Sequence, residues 1–167
     1  MELARVLCNA GTQRDPVWLL WLDGEEAVHE WTETDSLYGS RWLAAKWAQD
    51  GTAKRIKALI NVDMVGDRDL NLLMDLNSSS QIRELFWQTA RELGYGNHLG
   101  GTPSAIEDDH IPFGRAGIPV LDIIDFDYGP NNSYWHTERD TVDKLSAASF
   151  QVIGDTLLRV LTKLGGM

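Results

Sequence analysis

The sequence predicts a three-layer α/β sandwich around a mostly parallel, mixed central sheet. Val17–Leu22 is a continuous apolar run, and Ala58–Val65 is a second, interrupted only by Asn61 and Asp63. Such runs read as strands buried on both faces, because they lack the alternation of a half-exposed strand. Segments with apolar residues at helical spacing follow them, and strands alternating with helices give a parallel sheet covered on both sides. Acids and histidines gather just after the strands, where ligands bind in sheets of this kind.

Taken in order, Glu2–Cys8 reads as the end of a helix halted by Asn9-Ala10-Gly11, so the chain looks cut from a longer one. After Asp15-Pro16, the strand Val17–Leu22 runs into Asp23-Gly24-Glu25-Glu26, and a polar loop to Thr34 carries Trp31. Asp35 or Ser36 caps a helix over about Leu37–Gln49, ended by Asp50-Gly51. The strand Ala58–Val65 turns at Gly66-Asp67-Arg68-Asp69, and Leu70–Asp75 is expected to pair beside it. Ser78 or Ser79 starts a helix through Leu93, where Ile82, Leu85, Phe86, Thr89, Ala90 and Leu93 share one face. Gly94-Tyr95-Gly96 ends it.

The stretch from His98 to Asp109 is loop-like, Ile111–Ala116 a short helix, and Val120–Ile124 a fourth strand. A long loop, Phe126–Asp140, holds Trp135-His136-Thr137. Ser146–Leu164 closes the chain as an amphipathic helix, with Phe150, Ile153, Leu157, Val160, Leu161 and Leu164 inward. No repeat, linker or low-complexity stretch divides the chain, so residues 1–167 read as one domain.

Bulk properties exclude several classes. At 167 residues and 43% hydrophobic content, the chain can bury a core without staples. A formal net charge of -10 speaks against nucleic acid and anionic membranes as partners. Cys8 is the single cysteine, which rules out an internal disulfide and a cysteine-based zinc site; it reads as a small buried helix residue. No apolar run spans a bilayer, and the first residues lack the basic start and cleavage site of a signal peptide.

The chemistry concentrates in a few separated segments. Glu25 and Glu26 at a strand end repel each other unless a cation or a shared proton relieves them. Glu26 and His136 offer oxygen and nitrogen donors suited to zinc. Glu25, Asp63 and Asp108 suit a proton relay in which one carboxyl has a raised pKa. His110 reads as capping or packing its short helix, and His29 and His98 as surface residues. Asp67, Asp69, Asp122, Asp125 and Asp127 read as solvated turn charges or as acids supporting the site from behind, and Trp18, Trp21, Trp42, Trp47 and Trp87 as core or groove packing. Ser36 and Ser40 have no histidine placed to activate them.

Several motifs in a fixed order then resemble a family. Asp23-Gly24-Glu25-Glu26-Ala27, Trp31 and Asp35-Ser36-Leu37-Tyr38-Gly39-Ser40-Arg41 come first, followed by Asn61-Val62-Asp63-Met64-Val65-Gly66. Glu107-Asp108-Asp109-His110-Ile111-Pro112-Phe113 and Trp135-His136-Thr137 complete the set. Together they are similar to the metal-dependent glutaminyl-peptide cyclotransferases of the animal and bacterial type, over nearly the whole chain.

The resemblance implies the zinc aminopeptidase-like fold and one zinc ion per chain, with Glu26 and His136 as metal ligands. It implies that Glu25 shuttles a proton, that Asp63 and Asp108 hydrogen-bond to each other and towards Glu25, and that Trp31 and Trp135 wall the pocket. The substrate would be a peptide with N-terminal glutamine, cyclised to pyroglutamate with release of ammonia. The zinc aminopeptidases of the same fold are the alternative; there the aspartate matching Asp63 binds a second zinc and the glutamate matching Glu25 activates water. Trp31 and the 107–113 segment favour the cyclotransferase.

The chain departs from that pattern in three respects. The family's third zinc ligand, an aspartate before the helix matching Leu3–Leu7, does not occur here, which makes a catalytically inactive, N-terminally truncated homologue a further expectation. Earlier strands are absent too, so an exposed sheet edge is expected to drive homo-oligomerisation. Glu107 stands where relatives often carry glutamine and adds charge near the substrate. Relatives are usually secreted or periplasmic, and nothing in this chain fixes its own compartment.

Overall fold

In the computed structural model the described residues are all but Met1, residues 11–14 and Met167. The helices are α1 (Glu2–Ala10), α2 (Tyr38–Asp50), α3 (Ser80–Glu92), α4 (His110–Arg115) and α5 (Ala147–Leu164), and the strands are β1 (Leu59–Asp63) and β2 (Val120–Ile124). The expected stop at Gly11 lies outside the described residues.

β1 and β2 pair in parallel, with Leu59 opposite Val120 and Asp63 opposite Ile124. A parallel pair needs a long crossover, and here α3 and α4 lie within it. Successive side chains of a strand point to opposite faces, and the core divides accordingly. Leu121 and Ile123 pack with Ile82, Phe86 and Trp87 of α3 and with Val152, Ile153, Leu157 and Val160 of α5. Val120 packs on the other face with Ala44 and Trp47 of α2 and Phe113 of α4. The result is helices, sheet, helices: an α/β sandwich of three layers. Phe86 and Phe113 are fully buried, each contributing about 1.5–3 kcal/mol of burial free energy.

Two expected strands are not strands. Leu70–Asp75 runs beside β2, where Leu73 N donates to Ile124 O at 3.1 Å. Next to it, Ser78 and Ser79 hydroxyls take the N–H groups of Asp122 and Val120. Side-chain hydroxyls thus occupy positions a ladder would need, and only a single bridge, Asp75 to Ser104, remains. Residues 17–22 form no strand and pair with none among the described residues. Trp18, Leu20 and Trp21 are exposed, so this run is not buried on both faces; no described strand supplies the cover. β1 itself is only half-buried, opening to solvent at Val62 and Asp63.

Smaller expectations change for the same reason. Trp42 and Cys8 are exposed, and Phe150 is half exposed, whereas Trp47 and Trp87 are core. α5 begins where predicted, with Ser146 Oγ accepting from Ala148 N as its N-cap.

Candidate active site

The glutamate pair is placed by the start of α2. The first N–H groups of a helix have no partner within it. Here three are donated in succession, Leu37 N to Glu25 O, Tyr38 N to Gly24 O and Gly39 N to Asp23 O, at 2.8, 2.8 and 3.0 Å. No side chain caps the helix; the backbone of Asp23–Glu25 does. This requires Leu37 in the left-handed region at φ 51° and Gly24 at φ 64°, the latter a conformation glycine adopts without strain. Gly39 admits the contact: a Cβ there would lie 2.5 Å from Asp23 O.

The loop after the pair is tied by one carboxylate. Asp35 accepts from the N–H groups of Val28, His29 and Glu30 and from Tyr38 Oη. The Tyr38 hydroxyl and these backbone donors hold Asp35 well below the usual carboxylate range. Trp31 rides on this loop.

From the far side comes His136, in the left-handed region at φ 53°. Its ring stacks on Trp135 with centroids 4.2 Å apart, and Trp135 in turn packs on Phe126. His136 Nε2 reaches Glu26 Oε1 at 2.8 Å.

All eight residues singled out from the sequence line one cleft of about 740 Å³: Glu25, Glu26, Trp31, Asp63, Glu107, Asp108, Trp135 and His136. Its electrostatics are lopsided. Burial, with the negative charges of Asp108, Glu26, Asp109 and Asp63, pushes Glu25 up to about 7. Asp63 at the end of β1 rises to about 6, from crowding by protein atoms and then from Asp108. It retains open surface, so the crowding is that of a cleft floor rather than of a sealed core.

The expected direct bond between Asp63 and Asp108 is not among the hydrogen bonds of the described residues. Asp108 accepts instead from Asn61 Nδ2 at 2.9 Å and from the N–H of Asp109. An amide on β1 takes the place that a second carboxyl was expected to fill.

Of the acids expected as solvated turn charges or as acids behind the site, Asp67, Asp122 and Asp125 are buried. Asp67 receives the N–H groups of Asp69 and Gly129, and Asp125 those of Asn71 and Asp127. Buried carboxylates need such partners. Asp69 and Asp127 are exposed as expected, His29 is exposed and His98 half-buried. His110 is fully buried between Asp75 and Asp122, the one convergent group of three acid or histidine donors among the described residues.

Residues 1–161 match the family model for peptidase family M28. The chain belongs to this family. Among curated relatives, glutaminyl-peptide cyclotransferase of Bos taurus is 33% identical, covering 86% of this chain and 44% of its own length. That of Drosophila melanogaster is 32% identical, covering 78% and 42%. An uncharacterized protein of Saccharomyces cerevisiae is 34% identical, covering 79% and 44%.

Among solved structures, a glutaminyl cyclase of an Acidobacteriales bacterium superposes with a TM-score of 0.85 at 48% identity, over 87% of this chain and 52% of that one. A Zn-dependent exopeptidase of Parabacteroides distasonis gives 0.69 at 28%, over 84% and 52%. The fold is therefore the zinc aminopeptidase-like α/β fold. This M28 chain spans less than half the length of the curated relatives it matches.

Catalytic zinc is held by three protein donors and a water. In this M28 chain the Glu26 oxygen and His136 nitrogen already converge, which fits two corners of such a site. No third histidine, cysteine, aspartate or glutamate joins them among the described residues.

Proposed function

We propose that this chain carries the reaction centre of a zinc-dependent glutaminyl-peptide cyclotransferase, acting on peptides with N-terminal glutamine. The observation that carries this reading is geometric: Glu25 shares one cleft with the Glu26–His136 pair, and Trp31 and Trp135 wall it. A carboxylate in that position is within reach to accept a proton from a bound amine and return it.

Glu26 and His136 would hold one zinc ion per chain. Bound there, zinc supplies Lewis-acid polarisation of the substrate's γ-carboxamide carbonyl. Glu25 takes the proton of the attacking α-amine and delivers it to the departing amide nitrogen. The α-nitrogen bonds to the γ-carboxamide carbon, the carbon–nitrogen bond of the amide breaks, and pyroglutamate and ammonia result. Asp63 and Asp108 keep Glu25 basic through their negative charge. Trp31 and Trp135, each more than a third exposed, present apolar faces that sandwich a small side chain and exclude water from it. Glu107, exposed at the rim, adds negative charge where the substrate enters.

The family description and the exopeptidase neighbour favour a second reading, hydrolysis of an N-terminal residue, with Glu25 activating water. The products separate the two. Ammonia released from a glutamine-initiated dipeptide in the presence of zinc supports cyclisation, and a free amino acid supports hydrolysis. Neither product from zinc-loaded protein refutes both.

A further inference from the structure

From the cleft floor inward, five side chains form one linked row: Asp108, Asn61, Asp122, His110 and Asp75. Asn61 on β1 spends both hydrogens of Nδ2 on carboxylates, Asp108 Oδ2 at 2.9 Å and Asp122 Oδ1 at 3.0 Å. The other oxygen of Asp122, Oδ2, faces His110 Nδ1 at 3.8 Å and has no hydrogen-bond partner. On the opposite side of the ring, His110 Nε2 lies 3.3 Å from Asp75 Oδ2. Asp75, His110 and Asp122 are all fully buried.

Asp75 is fixed independently. Asn77 N and Ile106 N donate to its Oδ1 and the Ser78 hydroxyl to its Oδ2. Burial alone would raise this carboxyl, but His110, Ser78 and the two backbone groups outweigh it and hold it at about 2.

Two buried carboxylates on opposite sides of one ring, both ionised, need two donors. A neutral imidazole has one, and an imidazolium has two. A metal ion would take one ring nitrogen and leave the other facing a carboxylate. Burial works against a charge on His110, yet Asp75, Asp122 and Asp108 together raise its pKa. Burial pushes Asp122 up to about 7, and His110 keeps it from rising further.

We propose that His110 is a buried imidazolium clamped between Asp75 and Asp122, and that through Asn61 this clamp fixes Asp108 at the cleft floor. His110, Asp122 and Asn61 are thus positioning residues. The clamp stands on geometry alone; its effect on turnover rests on the cyclotransferase reading. The side-chain amide of Asn61 carries the link, since it is the group bonded to both Asp108 and Asp122.

The test uses the full 167-residue chain, labelled with nitrogen-15 in histidine. The expected result is that both ring nitrogens of His110 carry protons from about pH 6 to about pH 8 and that Asp75→Asn abolishes this. Zinc ligated by His110, or one unprotonated ring nitrogen across that range, would overturn the clamp. For the link, Asn61→Leu should lower kcat by about 10–100-fold with KM and zinc content little changed. Asn61→Asp, which sets a third carboxylate between two others, should be at least as damaging.

A crystal structure of Asn61→Leu should show Asp108 displaced. Asp108 unmoved there, or an unchanged kcat, would overturn the link. If the parent chain releases no ammonia, the cyclotransferase reading fails, while the ring-nitrogen signals and the Asp108 position still decide this inference.

Discussion

His136 Nε2 sits 2.8 Å from Glu26 Oε1, although the two residues arrive from different loops on opposite sides of the cleft. Both side chains are more than half exposed, and an exposed ion pair contributes little to stability. Bringing them together is therefore better explained by what the pair holds than by the pair itself. Replacing either with alanine should lower zinc affinity by more than an order of magnitude and leave the melting temperature almost unchanged. Zinc titration by calorimetry beside a thermal melt checks both; undiminished affinity would remove the pair from the metal site.

Glu25 yields a pH prediction whose sign can be worked out. The carboxyl is raised to about 7 by burial and by four negative neighbours, so it is largely protonated below that pH and a poor proton acceptor. A cation beside it favours the ionised form and lowers the pKa. Carbon-13 titration of Glu25 should give an inflection near neutrality in zinc-free protein and a more acidic one with zinc. Turnover with zinc should rise with pH through the lower value. Glu25→Gln should reduce turnover by about 10²–10⁴-fold with zinc content intact; surviving activity would exclude Glu25 as the shuttle.

Gly39 is the position where one methyl group should disturb the site. Its Cβ would lie 2.5 Å from the carbonyl oxygen and 3.0 Å from the nitrogen of Asp23, and backbone does not yield as a flexible side chain does. Gly39→Ala should cost about 1–3 kcal/mol, seen as a melting-temperature drop of roughly 2–4 °C per kcal/mol. Because Gly39 N also holds Asp23 O, the glutamate pair should shift and turnover should fall further than stability. Gly154→Ala, inside α5 with no atom within 4 Å of the added methyl, controls for the effect of adding a methyl group to a helix.

Asp35 makes a kinetic prediction. Its carboxylate collects three backbone N–H groups and the Tyr38 hydroxyl, so Asp35→Ala should free the loop carrying Trp31. Hydrogen exchange at Val28, His29 and Glu30 should accelerate. The Asp35 pKa is depressed, so its contribution is full above the unfolded carboxyl pKa and is lost as pH falls through the lower, folded value. Exchange as slow as in the parent would show that the loop is held by something else.

How far the residues were legible from sequence follows from their partners. Helices were readable because their apolar spacing and caps are local, as in Ser146 and α5. The cleft was readable because Glu25, Glu26, Trp31, Asp63, the 107–108 pair and 135–136 each stand in a motif. Val17–Leu22 misled, because an apolar run predicts burial only when a neighbouring element covers it. The full burial of Asp122 and His110 is not legible for the opposite reason: a charged residue's burial depends on distant partners, Asn61 and Asp75 among them, and no local pattern encodes those. Asp75, at the end of an apolar stretch, carries no motif at all.

The uncovered side of β1 makes the final prediction. β2 is bordered by Leu73, Ser78 and Ser79, but the other edge of β1 has no ladder partner among the described residues. Beside it, Trp18, Leu20, Trp21 and Val62 are exposed. A free strand edge next to exposed aromatic residues is a template for association. The expected result is a homo-oligomer at micromolar concentration, dissociated by Trp18→Glu, with the cleft unaffected because neither Trp18 nor Trp21 lines it. Sedimentation of the parent chain as a monomer would mean that this face remains open to water despite its composition.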